Sequence, residues 1–445
     1  MATVITHTAK PQRGTQALLL FFAVVIGVGT HALAALNHDD KLPADLWLYA
    51  ATFTAVAVAL QLVMSLRAPY ADPLILPIVL TINGIGVGLI SSVDISLGTT
   101  AHANRQLMWT VFGVALCCAT ILLVRDHRWL RRYTWTFALA GILLLLMPLL
   151  PFIGQNINGS RIWIRLGSMS FQPGEIAKIC LAIFCAGYLV SRRDTLALTG
   201  PKILGINFPR WRDFGPIVVA WLLALGVLVF ETDLGTSILL FGLFVAMLYV
   251  ATDRLSWLIM GAVMFLPPAI YAATQLSHVQ RRIKCWVDPL GKDSYSSCEQ
   301  IAKGLFGLAN GGLTGAGLGG GRPAMVPHSQ SDFIFATLAE QLGLVGVFAI
   351  LLLYLVLVQR FLRTGIVIPD GFGKLLAGGL GFVIALQVFV VVGGITRVIP
   401  LTGLTLPFMA AGGSSLVANW LIVGLLVRMS DNARRPAAVM REQVA

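Results

Sequence analysis

Charge is what this sequence has least of: Asp, Glu, Lys and Arg make up 12% of its 445 residues, against about 25% in an ordinary soluble domain. A chain this poor in charge does not have the surface of a soluble enzyme. Acid is scarcer than base, with 20 Asp and Glu against 32 Lys and Arg and a formal charge of +12. Such an excess could serve a nucleic acid or another acidic partner. The simpler source is the retention of Lys and Arg in the cytoplasmic loops of a membrane protein, so no nucleic acid is expected. The six cysteines and seven histidines form no cluster with zinc spacing, and no resident metal is expected from them. No cleaved leader is expected either. Residues 1–15 are polar, and the apolar stretch before Ala32-Leu33-Ala34 is too long for the core of a signal peptide.

Apolar side chains, by contrast, make up 57% of the chain, and the mean hydropathy is +0.82. Hydrophobic runs recur from Gln16 to Arg428, each about the 20 residues that a helix needs to cross a bilayer core. In hydrocarbon every backbone N–H and C=O must be paired within its own segment, so such runs are helices. The fold class is therefore an all-α polytopic membrane protein of about 12 transmembrane helices. They are predicted near 16–36, 45–66, 73–94, 107–124, 134–153, 174–191, 213–230, 235–252, 256–274, 333–358, 374–396 and 406–428. With both termini cytoplasmic, the inner segments collect Arg125, Arg128, Arg131, Arg132, Arg192, Arg193, Arg360, Arg363, Arg428, Arg434 and Arg435, the asymmetry that sets orientation.

That orientation leaves a long loop, about 275–331, outside the cell. It carries Arg281, Arg282, Lys284, Lys292, Lys303 and Arg322 on the side where positive charge is disfavoured. An anionic ligand is one explanation, and a solvated basic surface is the other. Cys285 and Cys298 lie in the same loop, where oxidising conditions permit a disulfide. A Cys285–Cys298 bridge is expected, while Cys117, Cys118, Cys180 and Cys185 fall in helices as packing residues.

Ionisable residues at membrane depth are functional candidates by default. Glu175 and Lys178 are three apart at the start of one helix and are able to pair. Glu231 and Asp233 stand between two helices, Asp332 and Glu340 open the helix after the long loop, and Arg397 follows Gly393-Gly394-Ile395-Thr396. Asp332 reads as a helix cap. Any one of these fits a structural ion pair; together they describe an outward-facing polar cavity. The glycine-rich run Gly311–Gly321 lacks the Gly-Lys-Ser/Thr ending and the preceding strand of a nucleotide loop. In the loop, Asp288 and Asp293 are carboxylates beside several cations. Either is a solvated acid or a general base whose neighbouring cations meet a departing phosphate.

Five blocks carry a family resemblance: GSRIWIRLGSMSFQPGEIAK (159–178), ETDLGTS (231–237), GGLTGAGLGGGRP (311–323), DFIFATLAEQLG (332–343) and GGITRVIPLTGLTLPFMAAGGSSLVANW (393–420). In this order they resemble the SEDS family (shape, elongation, division, sporulation), the RodA and FtsW proteins, and the last block is more like the actinobacterial RodA branch. The resemblance implies a ten-helix core at 73–430 with its catalytic loop at 275–331. Residues 1–72 then form a tail with two extra helices, and 431–445 a cytoplasmic tail.

It further implies a multi-pass protein of the cytoplasmic membrane with an extracytoplasmic active site, acting as a peptidoglycan glycosyltransferase in cell elongation, cell shape and, for the division paralogues, cell division. The substrate implied is lipid II, a disaccharide-pentapeptide on undecaprenyl diphosphate, and the partner a class B penicillin-binding protein. Counting back seven from Gln300 places the family's catalytic aspartate at Asp293; counting forward from Trp286 lands on Lys292, because this loop has one extra residue, and Asp288 is the runner-up. Asp293 would be the general base of an inverting transfer. Arg161, Lys178 and Arg397 would meet the leaving diphosphate, and Glu175, Asp233 and Glu340 would organise the cavity. A divalent cation, magnesium or manganese, could share in charge neutralisation. A lipid II flippase, an FtsW-like division paralogue and a non-catalytic scaffold are the alternatives.

Overall fold

The computed structural model describes residues 11–151, 153–157, 160–167, 169–197, 202–203, 206–207, 233–292 and 294–436, with positions 215, 218, 222 and 226 between them. The helix expected at 213–230 lies outside the described residues, as do Glu231 and Asp293. Among the described residues ten helices are long and apolar enough to cross a membrane, so this is a multi-pass membrane protein, as the apolar runs required.

The chain opens with α1 (Arg13–Asp39), α2 (Leu46–Arg67), α3 (Ile75–Leu97) and α4 (Ala101–Leu123). The short α5 (Arg128–Arg132) and α6 (Thr134–Leu146) lead to α7 (Gly174–Ala197). Then come α8 (Leu234–Thr252), α9 (Leu255–Gln275), α10 (Ser277–Val287) and α11 (Tyr295–Gly311). The last three are α12 (Ile334–Val367), α13 (Gly371–Ile395) and α14 (Gly413–Arg434). Of the spans, α3 and α14 are almost wholly buried, whereas α1, α2 and α9 turn most of their surface outward.

The two N-terminal helices are not loosely attached. At their crossing, a Cβ on Gly27 would stand 2.9 Å from the Gly84 Cα, so α1 and α3 meet backbone to backbone, the close approach that small residues allow within a membrane. Near the end of α1, His31 stacks on Tyr49 of α2, and the Tyr49 hydroxyl donates to Asn104 of α4.

Three regions differ from what the apolar runs alone predict. Residues 154–171 form a three-stranded antiparallel sheet, β1 (Gly154–Ile157), β2 (Ser160–Leu166) and β3 (Met169–Phe171). Gly154 pairs with Ile164 and Ile164 with Phe171. The first part of the long loop is helical: α10 and α11 form a pair joined by a Cys285–Cys298 disulfide.

The last span starts at Gly413 rather than near 406. Pro400, Pro407 and the Gly412-Gly413 pair stop the helix from starting earlier. The apolar stretch 399–412 therefore runs through the interior as irregular backbone, which is tolerable only if its polar groups find partners. Asn83 donates to the Phe408 carbonyl, Gln106 to Ala410, Gln387 to Thr405 and Tyr354 to Pro407. All four donors are buried.

Candidate active site

The second-half loops gather at one end of the bundle, where α8, α12 and α14 begin and α9 and α13 end. Asp233 is the N-cap of α8: its Oδ1 accepts from the backbone N–H groups of Gly235 and Thr236, and its Oδ2 from the Thr236 hydroxyl at 2.6 Å. A carboxylate there is favoured by the unpaired N–H groups and by the helix dipole. Burial nonetheless pushes the Asp233 carboxyl above its ordinary range, with these hydrogen bonds and Arg282 opposing the rise.

Arg282, on α10, reaches in from the long loop. Its Nη1 donates to the Thr402 carbonyl at 3.0 Å, and its charge is felt by both Asp233 and Asp332. Desolvation pushes Asp332 up to about 7, with Arg282 opposing and Asp233 adding to the shift. The expected capping role of Asp332 is not observed: Phe333 occupies the N-cap of α12, and no side chain bonds there. A Cβ on Gly403 would lie 3.8 Å from Arg282 Nη2 and 4.0 Å from Asp332 Oδ2, so Arg282, Asp332 and the 399–412 backbone converge on one point.

Beside this point an apolar cavity of about 530 Å³ lies between α8, α9, α10 and α13. Phe241, Phe265, Pro268, Leu386 and Phe389 line it, with Arg282 and Thr402 at its polar mouth.

The other expected residues lie around this center in distinct settings. Glu175 and Lys178 form a buried ion pair at 2.5 Å on the first turns of α7, and the Lys178 ammonium also donates to Gln387 at 3.1 Å. Glu340 accepts from the Arg322 backbone N–H at 2.9 Å and from Asn310 at 3.0 Å, pinning the glycine-rich segment to α12. That segment also dictates Gly343, whose φ is +64° and where a Cβ would sit 2.3 Å from the Gly315 nitrogen. Arg397 is committed to backbone: its Nε and Nη2 donate to the Trp286 carbonyl and its Nη2 also to Val287. It thus caps the C-terminal end of α10 with a cation, as the dipole favours. Arg161 stands exposed on β2, with no hydrogen bond or ion pair among the described residues.

Asp288 follows α10 and is exposed, and its carboxylate lies over the turn, where a Cβ on Gly291 would come within 2.1 Å of Oδ2. Of the turn carrying Asp293, Lys292 and Ser294 are described and Asp293 itself is not. Among the described residues no group of three or more His, Cys, Asp or Glu side chains could hold a metal.

Sequence reasoning missed the Asp233–Arg282–Asp332 grouping. Its signal was present in Arg282 and Asp332, but the length of chain between them hid their meeting. One consequence is measurable. Because the folded Asp332 stays protonated up to about pH 7 while an unfolded Asp ionises near 4, its contribution to stability falls as pH rises from about 4 to 7 and is flat beyond. Asp332→Asn should flatten that slope in apparent Tm measured across this window; an unchanged slope would show that another group sets it.

Ten apolar spans among the described residues, with an apolar cavity between them and Arg282 in its lining, define a helical membrane protein. The chain belongs to the FtsW/RodA/SpoVE family of cell cycle proteins, whose model matches residues 73–435. It is 43% identical over 97% of its length to the peptidoglycan glycosyltransferase RodA of Mycobacterium tuberculosis, covering 93% of that protein. It is 34% identical over 75% of its length to the stage V sporulation protein E of Bacillus subtilis, of which 87% is covered. Among solved structures it is similar to a chain described under "Structural coordination of polymerization and crosslinking by a peptidoglycan synthase complex", with a TM-score of 0.65, 25% identity and coverage of 82% of this chain and 98% of that one. The crystal structure of the rod shape determining protein RodA of Thermus thermophilus shares the fold, with a TM-score of 0.57, 23% identity and coverage of 82% and 98%.

Proposed function

We propose that this protein is a peptidoglycan glycosyltransferase that polymerises lipid II during cell elongation, and so maintains cell shape. The observation that carries the reading is the apolar cavity ending at Arg282. A polyprenyl chain fits its Phe-, Leu- and Pro-lined wall, and the diphosphate then meets the guanidinium at the mouth. Arg is suited to this task because its planar fork presents several donors to phosphate oxygens.

In the proposed reaction Asp293, on the α10–α11 turn, takes the proton from the 4-hydroxyl of the acceptor sugar. The oxygen attacks the anomeric carbon of the donor sugar and displaces the lipid diphosphate with inversion. Arg282 stabilises the leaving charge, its guanidinium anchored on the Thr402 carbonyl with the carboxyl groups of Asp233 and Asp332 acting on it through their charge. Lys178 and Arg397 act from behind the site, the first balancing Glu175 and the second holding α10. Arg161 remains available to the substrate from the exposed sheet. A divalent cation, magnesium or manganese, would be held largely by the diphosphate itself, since the described side chains do not converge as ligands.

The site would face the extracytoplasmic side with both termini in the cytoplasm. The disulfide at the site end favours this orientation, as does the arginine-rich opposite end. A class B penicillin-binding protein is the proposed transpeptidase partner, by analogy with the synthase complex to which the fold is similar. The test is purified protein with that partner and labelled lipid II: glycan chains are expected, whereas lipid II crossing vesicles without polymer would replace this reading with a flippase.

The α10–α11 disulfide supports the site mechanically. In the chain-entropy model a loop of this length constrains the unfolded ensemble by about 3 kcal/mol. Cys285→Ser with Cys298→Ser should lower the apparent Tm and reduce polymerisation together. Full activity with a lowered Tm would mean the bridge stabilises the loop without positioning it.

A further inference from the structure

At the end of the bundle far from the site, the geometry points to a binding pocket for the phosphate headgroup of an anionic membrane lipid. The inference is independent of the polymerase reading. A cavity of about 730 Å³ opens between the loop after α4, the loop after α12 and the ends of α2 and α14. Five arginines line it, Arg67, Arg125, Arg128, Arg428 and Arg435, against two carboxylates, Asp126 and Asp370.

The arginines are not equivalent. Arg428 is buried, and its guanidinium is consumed by the scaffold: it donates to the carbonyls of Arg67, Val124 and Arg125 and pairs with Asp431 at 3.3 Å. Arg435 pairs with Asp431 at 2.8 Å and donates to the Arg67 carbonyl at 3.2 Å. Arg128 reaches Asp370 at 3.4 Å, and His127 bonds the same carboxylate at 2.9 Å. These contacts fix the backbone at Arg67 and Arg125. Yet neither of those two guanidinium groups has a hydrogen-bond or ion-pair partner among the described residues. Two unpaired forks on a fixed backbone, beside an already cationic cavity, are arranged for a shared phosphate.

The depth of the cavity selects the source of that phosphate. Arg67 is the last residue of one candidate span, and Arg125 lies two residues beyond the end of another at Leu123, which places both at headgroup level. The rim carries exposed apolar side chains, Leu66 at 74% and Leu123 at 80%, where acyl chains of a bound lipid would lie. Basic pockets between transmembrane helices bind anionic headgroups for this reason.

The experiment uses the full chain in detergent and in nanodiscs. Binding of phosphatidylglycerol is read by native mass spectrometry and by the shift in apparent Tm, with phosphatidylcholine and inorganic phosphate as comparison arms. Retained phosphatidylglycerol and a raised Tm are expected, with binding weakened about tenfold or more in Arg67→Gln with Arg125→Gln. Because neither side chain supports the fold, the double variant should keep the lipid-free Tm. Equal retention of phosphatidylcholine, or unchanged binding in the variant, would overturn the proposal. A Tm increment reproduced by inorganic phosphate at millimolar concentration would also overturn the lipid assignment and make the pocket a site for a soluble phosphate. If the variant also loses its lipid-free Tm, Arg67→Lys with Arg125→Lys decides: retained binding supports the site, and lost binding overturns it.

Discussion

Asp293→Ala should give a folded protein that makes almost no glycan, with a loss of about 100- to 10,000-fold in polymerisation, the range that removal of a general base produces. The helices on either side of the turn that carries Asp293 are held, by the Cys285–Cys298 bridge and by Arg397 on the end of α10. Asp288 is the control. Its side chain lies against the turn backbone at Gly291, and Asp288→Ala should cost activity only modestly, through the shape of the turn. The measurement is glycan yield from labelled lipid II with each variant beside wild type. Loss with Asp288→Ala and activity with Asp293→Ala would exchange the two roles. Loss with neither would remove the loop carboxylates from the chemistry.

Arg282→Ala should be almost as damaging, about 100- to 1,000-fold in kcat, because a fixed cation aimed at developing charge acts mainly in the transition state. The same change leaves Asp233 and Asp332 without their shared cation, so it should also lower stability at neutral pH. Arg282→Lys separates the two effects: it restores the charge and stability but not the planar fork, and should recover only part of the rate. If Arg282→Ala raised KM and left kcat alone, the guanidinium would be a binding contact rather than a stabiliser of the leaving diphosphate.

The membrane spans were legible in the sequence wherever an apolar run was also a helix, as at α3, α8 and α13. Residues 399–412 were not, for a specific reason. Hydropathy reports apolar side chains, while this stretch is kept out of a helix by its prolines and made tolerable by buried amides on other helices, Asn83, Gln106 and Gln387. Nothing within 399–412 announces those donors. The three-stranded sheet at 154–171 escaped because its strands are short, of four, seven and three residues. The candidate site was half visible. Glu175 with Lys178 followed from helical spacing, and the disulfide from two cysteines in one loop. The meeting of Asp233, Arg282 and Asp332 depends on α10 folding back over the bundle, a tertiary event without a local signature. Arg397 was read from its charge alone, and its hydrogen bonds to the end of α10 give it a supporting task.

The bridge between α10 and α11 also orders events in the life of the molecule. Thiols stay reduced in the cytosol, so in the proposed orientation the bridge closes only after this loop has been delivered to an oxidising compartment. The spans can insert and pack beforehand, but the turn bearing Asp293 acquires its tether only on arrival. Newly made protein would therefore pass through a stage in which the bundle is complete and the site is not, and the capacity of the cell to oxidise thiols outside its membrane would set the rate at which polymerase becomes competent.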